Sequence, residues 1–140
     1  GDVLTLRNGT LQRTLGDEIP RFRILSVGPG AVVDLERLTL TGGFNNDEGG
    51  GALWNRGGAV RVIASTLSGN NGFIGGAILN GPFQGDNIGS SLTVISSTLS
   101  DNAASAGGAI YNQESLTITA STITGSVATV NPMSSIFMNQ

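Results

Sequence analysis

The chain contains no cysteine, no histidine and no lysine, and each absence removes a kind of chemistry. Without cysteine there is no disulfide framework and no thiolate metal site. Without histidine, no side chain has an ordinary pKa suited to general-base work near neutral pH. All seven basic residues are arginines, and with ten acidic residues the net charge is −3. This balance predicts no nucleic-acid partner, because nucleic-acid binding requires a basic patch.

Long apolar runs and charged residues are also scarce. The apolar runs are only a few residues long, so we predict no membrane-spanning segment. Charged residues make up 12% of the chain, whereas glycine occurs 22 times and Ser, Thr and Asn fill much of the rest. A length of 140 residues fits one domain. The order of the residues, rather than their proportions, indicates how that domain is built.

One six-residue phrase occurs three times, as GGALWN at 50–55, GGAILN at 75–80 and GGAIYN at 107–112. A strand-like run with alternating apolar residues follows each copy, and a weaker run precedes the first. These runs are VDLERLTLTGG (33–43), VRVIASTLSGN (60–70), LTVISSTLSDN (92–102) and LTITASTITGS (116–126). Alternation with period two and β-branched residues predicts strands. The repeat is about 24–27 residues long once the insertion NGPFQGDNIGSS (80–91) is set aside.

Short strands recurring at a fixed period predict an all-β fold, a single-stranded right-handed parallel β-helix of about five to six coils. Successive coils in such a β-solenoid stack at roughly 4.8 Å. We predict one domain over residues 1–140, with an irregular first coil at 1–32, regular repeats at 33–126 and a terminal coil or cap at 127–140. The paired glycines of the phrase are expected at a corner that has no room for a Cβ atom or that needs positive φ.

Stacking coils place equivalent residues in columns along the solenoid axis. The alternation predicts that Leu53, Ile78 and Ile110 point into the core, one above another. Two polar columns follow at the turns, and their side chains are expected to hydrogen-bond along the stack. These columns are Asn55, Asn80 and Asn112, and Asn70, Asn102 and Ser126.

The combination of G-G-A-[IL]-x-N with S-T-[LI]-[ST]-x-[NS] resembles the parallel β-helix repeats of bacterial surface proteins of the polymorphic outer-membrane-protein type. The GGAI phrase of that family is matched three times, with Leu53 in place of isoleucine in the first copy, whereas Leu67, Leu99 and Ile123 stand where its F-x-x-N phrase has phenylalanine. The resemblance covers residues 33–126. It implies an extracellular or cell-surface protein used for structure or adhesion.

Parallel β-helices also include pectin-cleaving enzymes, so a carbohydrate-active enzyme is the main alternative. Glycoside hydrolysis needs two carboxylates held on one surface, but Asp86, Asp101 and Glu114 fall in different turns and do not recur in one column. We therefore predict no enzymatic activity and no catalytic, cofactor or metal site. The acidic pairs Asp17–Glu18 and Asp47–Glu48 are interpreted as solvated turn residues, with weak Ca²⁺ binding near Asn45 as the alternative.

Two outward columns are candidate functional surfaces. Trp54, Leu79 and Tyr111 form the first, which is interpreted either as a lateral interface or sugar-stacking platform, or as a surface covered by the insertion. The second is an array of threonine and serine that resembles the ice-binding face of some β-solenoid antifreeze proteins. The alternative for that array is an ordinary solvated strand face. Its members are Thr39/Thr41, Thr66/Ser68, Thr98/Ser100 and Thr122/Thr124.

The two ends of a β-solenoid present unpaired strand edges unless they are capped. At the N-terminal end Val3, Leu4 and Leu6 read as strand, and at the C-terminal end Ile136, Phe137 and Met138 do. These six residues are the predicted end-to-end interface, and self-association into head-to-tail filaments is the predicted function. The alternatives are that residues 127–140 fold back as a cap, and that the chain is an adhesive module or binds a polysaccharide.

Overall fold

The computed structural model describes residues 2–13, 21–130 and 135–138. These residues contain seventeen strands and no helix. The named strands pair only in parallel, and they form three sheets that are the three faces of a β-solenoid with five coils. The all-β parallel solenoid predicted from the repeats is therefore confirmed.

The second to fifth coils each contribute to all three sheets, whereas the described strands of the first coil belong to sheets 1 and 3 only. Sheet 1 contains β1 (Val3–Gln12), β3 (Val32–Thr41), β6 (Ala59–Ile63), β7 (Thr66–Ser68), β10 (Ser91–Ile95), β11 (Thr98–Ser100), β14 (Ser115–Thr119) and β15 (Thr122–Thr124). Sheet 2 contains β4 (Phe44–Gly49), β8 (Asn71–Ile74), β12 (Ala103–Ala104) and β16 (Val127–Ala128). Sheet 3 contains β2 (Leu25–Val27), β5 (Leu53–Asn55), β9 (Ile78–Asn80), β13 (Ile110–Asn112) and β17 (Ile136–Met138).

The first coil joins the stack in register. Strand β1 pairs with β3 from Val3 opposite Val32 to Gln12 opposite Thr41, and β2 pairs with β5. Coil 2 consists of β3 to β5, coil 3 of β6 to β9, coil 4 of β10 to β13 and coil 5 of β14 to β17. The insertion lies between β9 and β10 and lengthens coil 3 only.

Apolar columns run along the inside of sheet 1 through all five coils. The three columns are Leu4–Val33–Val60–Leu92–Leu116, Leu6–Leu35–Val62–Val94–Ile118 and Leu11–Leu40–Leu67–Leu99–Ile123. Their members in coils 2 to 4 are at most 5% exposed. Sheet 3 adds the predicted column of Leu53, Ile78 and Ile110, each 0% exposed. The alternating apolar residues of the sequence are therefore the residues that form the core.

The paired glycines serve both purposes expected of them, one at each position. The first glycine of each pair has positive φ, +60° at Gly50, +65° at Gly75 and +60° at Gly107. The second has no room for a side chain, since a Cβ at Gly76 would lie 2.1 Å from the carbonyl oxygen of Gly108. The phrase is repeated because the corner of each coil contacts the corner of the next.

Both predicted polar ladders are present. Asn55 donates to Asn80 Oδ1 at 2.8 Å, and Asn80 donates to Asn112 Oδ1 at 2.7 Å. At the other turn Asn70 donates to Asn102 Oδ1 at 3.1 Å, and the Asn102 backbone N–H donates to Ser126 Oγ at 3.3 Å. These buried groups satisfy one another along the stack, as buried polar groups must.

A third polar column, which the repeat analysis missed, lies at the bend in sheet 1. The backbone N–H of Ser65 donates to Ser97 Oγ at 3.0 Å, and that of Ser97 donates to Ser121 Oγ at 3.1 Å. A residue with positive φ precedes the serine in these coils, and every coil has one at this position. These residues are Asn8, Arg37, Ala64, Ser96 and Ala120. The identical letters S-T after Ala64, Ser96 and Ala120 were the available signal.

Candidate functional surfaces

The two end coils leave the apolar columns incompletely covered. At one end Leu4 is 56% exposed, and Leu6 and Leu11 are partly exposed. At the other end the three columns finish in Leu116, Ile118 and Ile123, which are also only partly buried. Among the described strands, none pairs with the outer edge of β1 or with that of β14 and β15.

These two faces have matching backbone geometry. Strand β1 covers ten residues, and β14 with β15 covers Ser115 to Thr124, the same length. Each contains one positive-φ residue at its sixth position, Asn8 with φ 61° and Ala120 with φ 50°. A second copy stacked in register on the first would therefore place Leu4, Leu6 and Leu11 directly on the exposed ends of the same columns.

The six residues predicted at the ends lie in the first and last coils, although their role in self-association stays a prediction. Val3 is 50% exposed and Met138 is 49% exposed, whereas Leu6, Ile136 and Phe137 are partly buried. Ile136 continues the inward column below Ile110. Leu116, Ile118 and Ile123 occupy the same end as Ile136 but belong to sheet 1, and they are not among the six residues predicted from the sequence.

Trp54, Leu79 and Tyr111 form a single column on the outer side of sheet 3, and Phe137 extends it. The chain itself covers most of this column. Trp54 is 8% exposed and Leu79 is 0% exposed, whereas Tyr111 is partly exposed and stacks on Phe137 with ring centroids 4.6 Å apart. The hypothesis of a lateral interface therefore depends on Tyr111 and Phe137. Burial raises the pKa of Tyr111.

Two arginines lie over the indole ring of Trp54. The guanidinium carbons of Arg23 and Arg56 lie 4.7 and 4.6 Å from the ring centroid, within cation–π distance. Burial lowers the pKa of Arg23, and the nearby charge of Arg56 adds to that lowering. The indole N–H donates to the carbonyl of Gly81 at 2.8 Å, which ties the ring to the start of the insertion.

The two arginines differ in how their charge is compensated. Arg23 donates to Glu48 at 3.1 Å and to the carbonyls of Gly49 and Gly50 at 2.7 and 3.0 Å. Arg56 is exposed, and within the described chain its side chain makes no ion pair. Arg23, Arg56 and Glu48 together therefore carry a net charge of +1, although the net charge of the whole chain is −3.

Contacts near both ends of the insertion hold it in place. At its far end Glu114 accepts hydrogen bonds from the backbone N–H groups of Ile88, Gly89 and Ser90. Near its start Phe83 packs edge-to-face against Phe73, with ring centroids 6.4 Å apart and planes at 65°. Glu114 read in the sequence as an ordinary turn residue, because nothing local indicates that its partners lie more than 20 residues upstream.

A cleft of about 300 Å³ separates the insertion from the Trp54 column. Arg56, Trp54 and Glu48 line one side of the cleft. The insertion supplies the other side with Pro82, Phe83, Gln84 and Ile88. Apolar walls with a few polar groups are typical of small-ligand sites, and this volume lies at the lower end of their range of about 300–1,000 Å³.

The array of threonine and serine on the outside of sheet 1 is in register, and it is longer than predicted. Thr10 of β1 extends the first column, which is threonine in every coil: Thr10, Thr39, Thr66, Thr98 and Thr122. The second column is Gln12, Thr41, Ser68, Ser100 and Thr124. Within the described chain none of these ten side chains takes part in a hydrogen bond, so all are available to solvent or a ligand.

The acidic residues within the described ranges do not assemble into a group of three or more. Asp47 is exposed in β4, and the nearby Asn45 side chain is occupied by accepting the Glu48 backbone N–H at 2.9 Å. The part of the chain that the structure describes contains no group of three or more His, Cys, Asp or Glu side chains that could hold a metal ion. Asp17 and Glu18 lie outside the described residues. The prediction that the protein is not an enzyme stays a prediction.

Comparison with known proteins finds no matching family model, no similar curated protein and no similar solved structure. The likeness to the polymorphic outer-membrane-protein repeats therefore stays a prediction beyond the β-solenoid itself. In the described ranges no helix is long and apolar enough to cross a membrane.

Proposed function

We propose that this protein is a non-catalytic structural β-solenoid that stacks end to end with further copies of itself. The observation that carries this proposal is the match between its two end faces. Both have a ten-residue strand path, a positive-φ residue at the same position and three partly exposed apolar residues in the same register. The interface between two copies would resemble the contact between two neighbouring coils of one copy.

The contact is stabilised by the same forces that hold the coils together. Stacking in register pairs the open edge of β1 with β14 and β15 of the next copy, which satisfies backbone groups that open edges leave unpaired. It also buries Leu4 and Leu6 against Leu116 and Ile118. A head-to-tail contact of this kind does not close on itself and produces an open fibre.

On sheet 3 the same stacking brings β17 of one copy against β2 of the next. Ile136 would lie on Leu25 inside the core, and Phe137 and Met138 would lie beside Ser26 and Val27. Few charges oppose the contact, since residues 62–140 contain only Asp86, Asp101 and Glu114 as charged residues. The extracellular or cell-surface location belongs to the proposal, supported by the resemblance of the repeat phrases to surface proteins.

Sedimentation velocity and negative-stain microscopy of the purified chain over a range of concentrations test the proposal. We expect filaments with the chain's own coil spacing throughout. Leu4→Glu and Ile123→Glu each place a charge at one end face, so either variant is expected to remain monomeric. Ala59→Glu introduces the same charge on the outside of coil 3 and is expected to polymerise normally. A monodisperse monomer of the unmodified chain at high concentration contradicts the proposal.

A second candidate function is ice binding, favoured by the column of threonine that Thr10 completes. Along each strand the two columns are about 6.6–6.8 Å apart, and successive coils are about 4.7–4.9 Å apart. Side chains at these spacings form a regular array that presents a hydroxyl at every position except Gln12 and a methyl group at each threonine. End-to-end stacking would extend the array, because Thr122 of one copy would be followed by Thr10 of the next.

Thermal hysteresis and inhibition of ice recrystallisation measure this second function. Thr66→Tyr places a bulky ring at the centre of the array, so most of any activity is expected to disappear. Thr93→Tyr makes the same change on the other half of sheet 1, and its activity is expected to equal that of the unmodified chain. No thermal hysteresis in the unmodified chain, or equal loss in both variants, contradicts ice binding at this array.

A further inference from the structure

We infer that the cleft between the insertion and Trp54 binds an acidic saccharide, with the Arg56 guanidinium recognising the carboxylate of one sugar ring. This site lies on the flank of coils 2 and 3, away from both end faces, and it does not depend on self-association. The site combines an arginine without an acidic partner, an insertion that is held in place and a cleft of suitable size.

Arg56 is the positive charge in the cleft that has no acidic partner. Glu48 is engaged by Arg23, which also donates to the backbone carbonyls of Gly49 and Gly50. Packing against Trp54 orients the Arg56 guanidinium, with its carbon 4.6 Å from the ring centroid. A guanidinium offers two parallel N–H donors that match the two oxygens of a carboxylate. The positive charge of Arg56 therefore favours an anionic ligand, and the planar shape of its guanidinium favours a planar anion.

The opposite wall provides surfaces for a ring. Phe83 and Ile88 are apolar and partly accessible, and the exposed Gln84 offers an amide that both donates and accepts hydrogen bonds. The apolar face of a sugar ring can pack on Phe83 while its hydroxyls reach Gln84. This combination distinguishes a sugar carboxylate from a bare inorganic anion, which would use Arg56 alone.

The cleft exists before any ligand arrives. Glu114 holds the far end of the insertion through three backbone N–H groups, and the pair Phe73–Phe83 holds the near end. Trp54 is fixed by its hydrogen bond to Gly81. A wall anchored on both sides loses little conformational freedom on binding, and preorganisation of this kind contributes to affinity.

Isothermal titration calorimetry with trigalacturonate tests the inference, with its methyl ester as the neutral ligand of the same ring structure. We expect trigalacturonate to bind in a salt-dependent manner and the ester to bind at least about tenfold more weakly, because it lacks the charge. Arg56→Gln is expected to weaken trigalacturonate to the level of the ester. Arg7→Gln removes another exposed arginine, on sheet 1 and outside the cleft, and is expected to leave the affinity unchanged.

Two further measurements make the result decisive. Glu114→Gln releases the insertion without altering the charge at Arg56, so affinity is expected to fall while the preference for the acid over the ester persists. Inorganic sulfate is expected to compete only weakly. Equal affinity for acid and ester, unchanged binding by Arg56→Gln at an unchanged Tm, or sulfate as strong a ligand as trigalacturonate would each overturn the inference.

Discussion

The second glycine of each GG pair is the residue on which coil stacking most directly depends. We predict that Gly76→Ala lowers the free energy of unfolding by at least about 1–3 kcal/mol, because the new Cβ would overlap the Gly108 carbonyl oxygen. Gly28→Ala is the matched control, since a Cβ there meets no atom within 4 Å. Urea unfolding of the two variants measures the difference, and equal stability would contradict the packing argument.

Asn80 occupies the middle of the first asparagine ladder. It accepts from Asn55, donates to Asn112 and donates to the Ser115 carbonyl at 2.9 Å, with no exposure to solvent. Asn80→Leu leaves these buried groups unsatisfied at about 1–3 kcal/mol each, so we expect a clear fall in the free energy of unfolding. The exposed Asn87→Leu serves as control in the same thermal melts. A stable Asn80→Leu protein would show that the ladder contributes little.

Tyr111 is expected to make stability depend on pH in the alkaline range. Burial raises its pKa in the folded chain above the ordinary value of about 10. The unfolded chain therefore ionises first, and stability is full below about pH 10 and falls as pH rises further. With no lysine, cysteine or second tyrosine, no other side chain normally titrates near this pH. Tyr111→Phe should flatten the profile of Tm against pH, and an unchanged profile would contradict this assignment.

At the scale of the elements, the Glu114 carboxylate binds the backbone of the insertion at its far end. We predict that Glu114→Gln costs about 1–2 kcal/mol, because three backbone N–H groups lose a charged acceptor. Hydrogen exchange at Ile88, Gly89 and Ser90 should accelerate, while exchange in β9 and β10 stays slow. Asp86→Asn removes a charge from the insertion itself and should change neither the free energy of unfolding nor these exchange rates. Acceleration in both variants would show that general electrostatics, rather than the Glu114 contact, holds this loop.

The strands themselves follow from local patterns, whereas the bend in sheet 1 does not. Alternation at Val60 and Val62 predicts which side chains enter the core, and the structure agrees. The positive φ of Ala64 is not expected from alanine, which rarely adopts that conformation. The hydrogen bond between Ser65 and Ser97 from the adjacent coil accompanies it. Such a bend becomes visible only when the coils are stacked.

At the scale of the whole molecule, stability should be greatest in the middle coils. Leu67 and Leu11 are both leucines of one apolar column, but Leu67 is covered by a coil on each side and Leu11 lies in the end coil. We expect Leu67→Ala to cost about 2–5 kcal/mol and Leu11→Ala less than half as much, measured by denaturant unfolding of monomeric protein. Equal costs under conditions where the chain is polymeric would indicate that a neighbouring copy covers Leu11.

The sequence by itself determined the repeat, the alternation and the columns of Gly and Asn, since these depend on each coil resembling the next. Only the tertiary structure decided that the insertion returns over Trp54, that Arg23 and Arg56 meet at its ring, and that Glu114 holds the loop. It also showed that Thr10 belongs to the threonine column, because the first coil lacks the GGA phrase that marks the others. Contacts between residues at different positions of the repeat leave no periodic trace, and they form only when the coils are assembled.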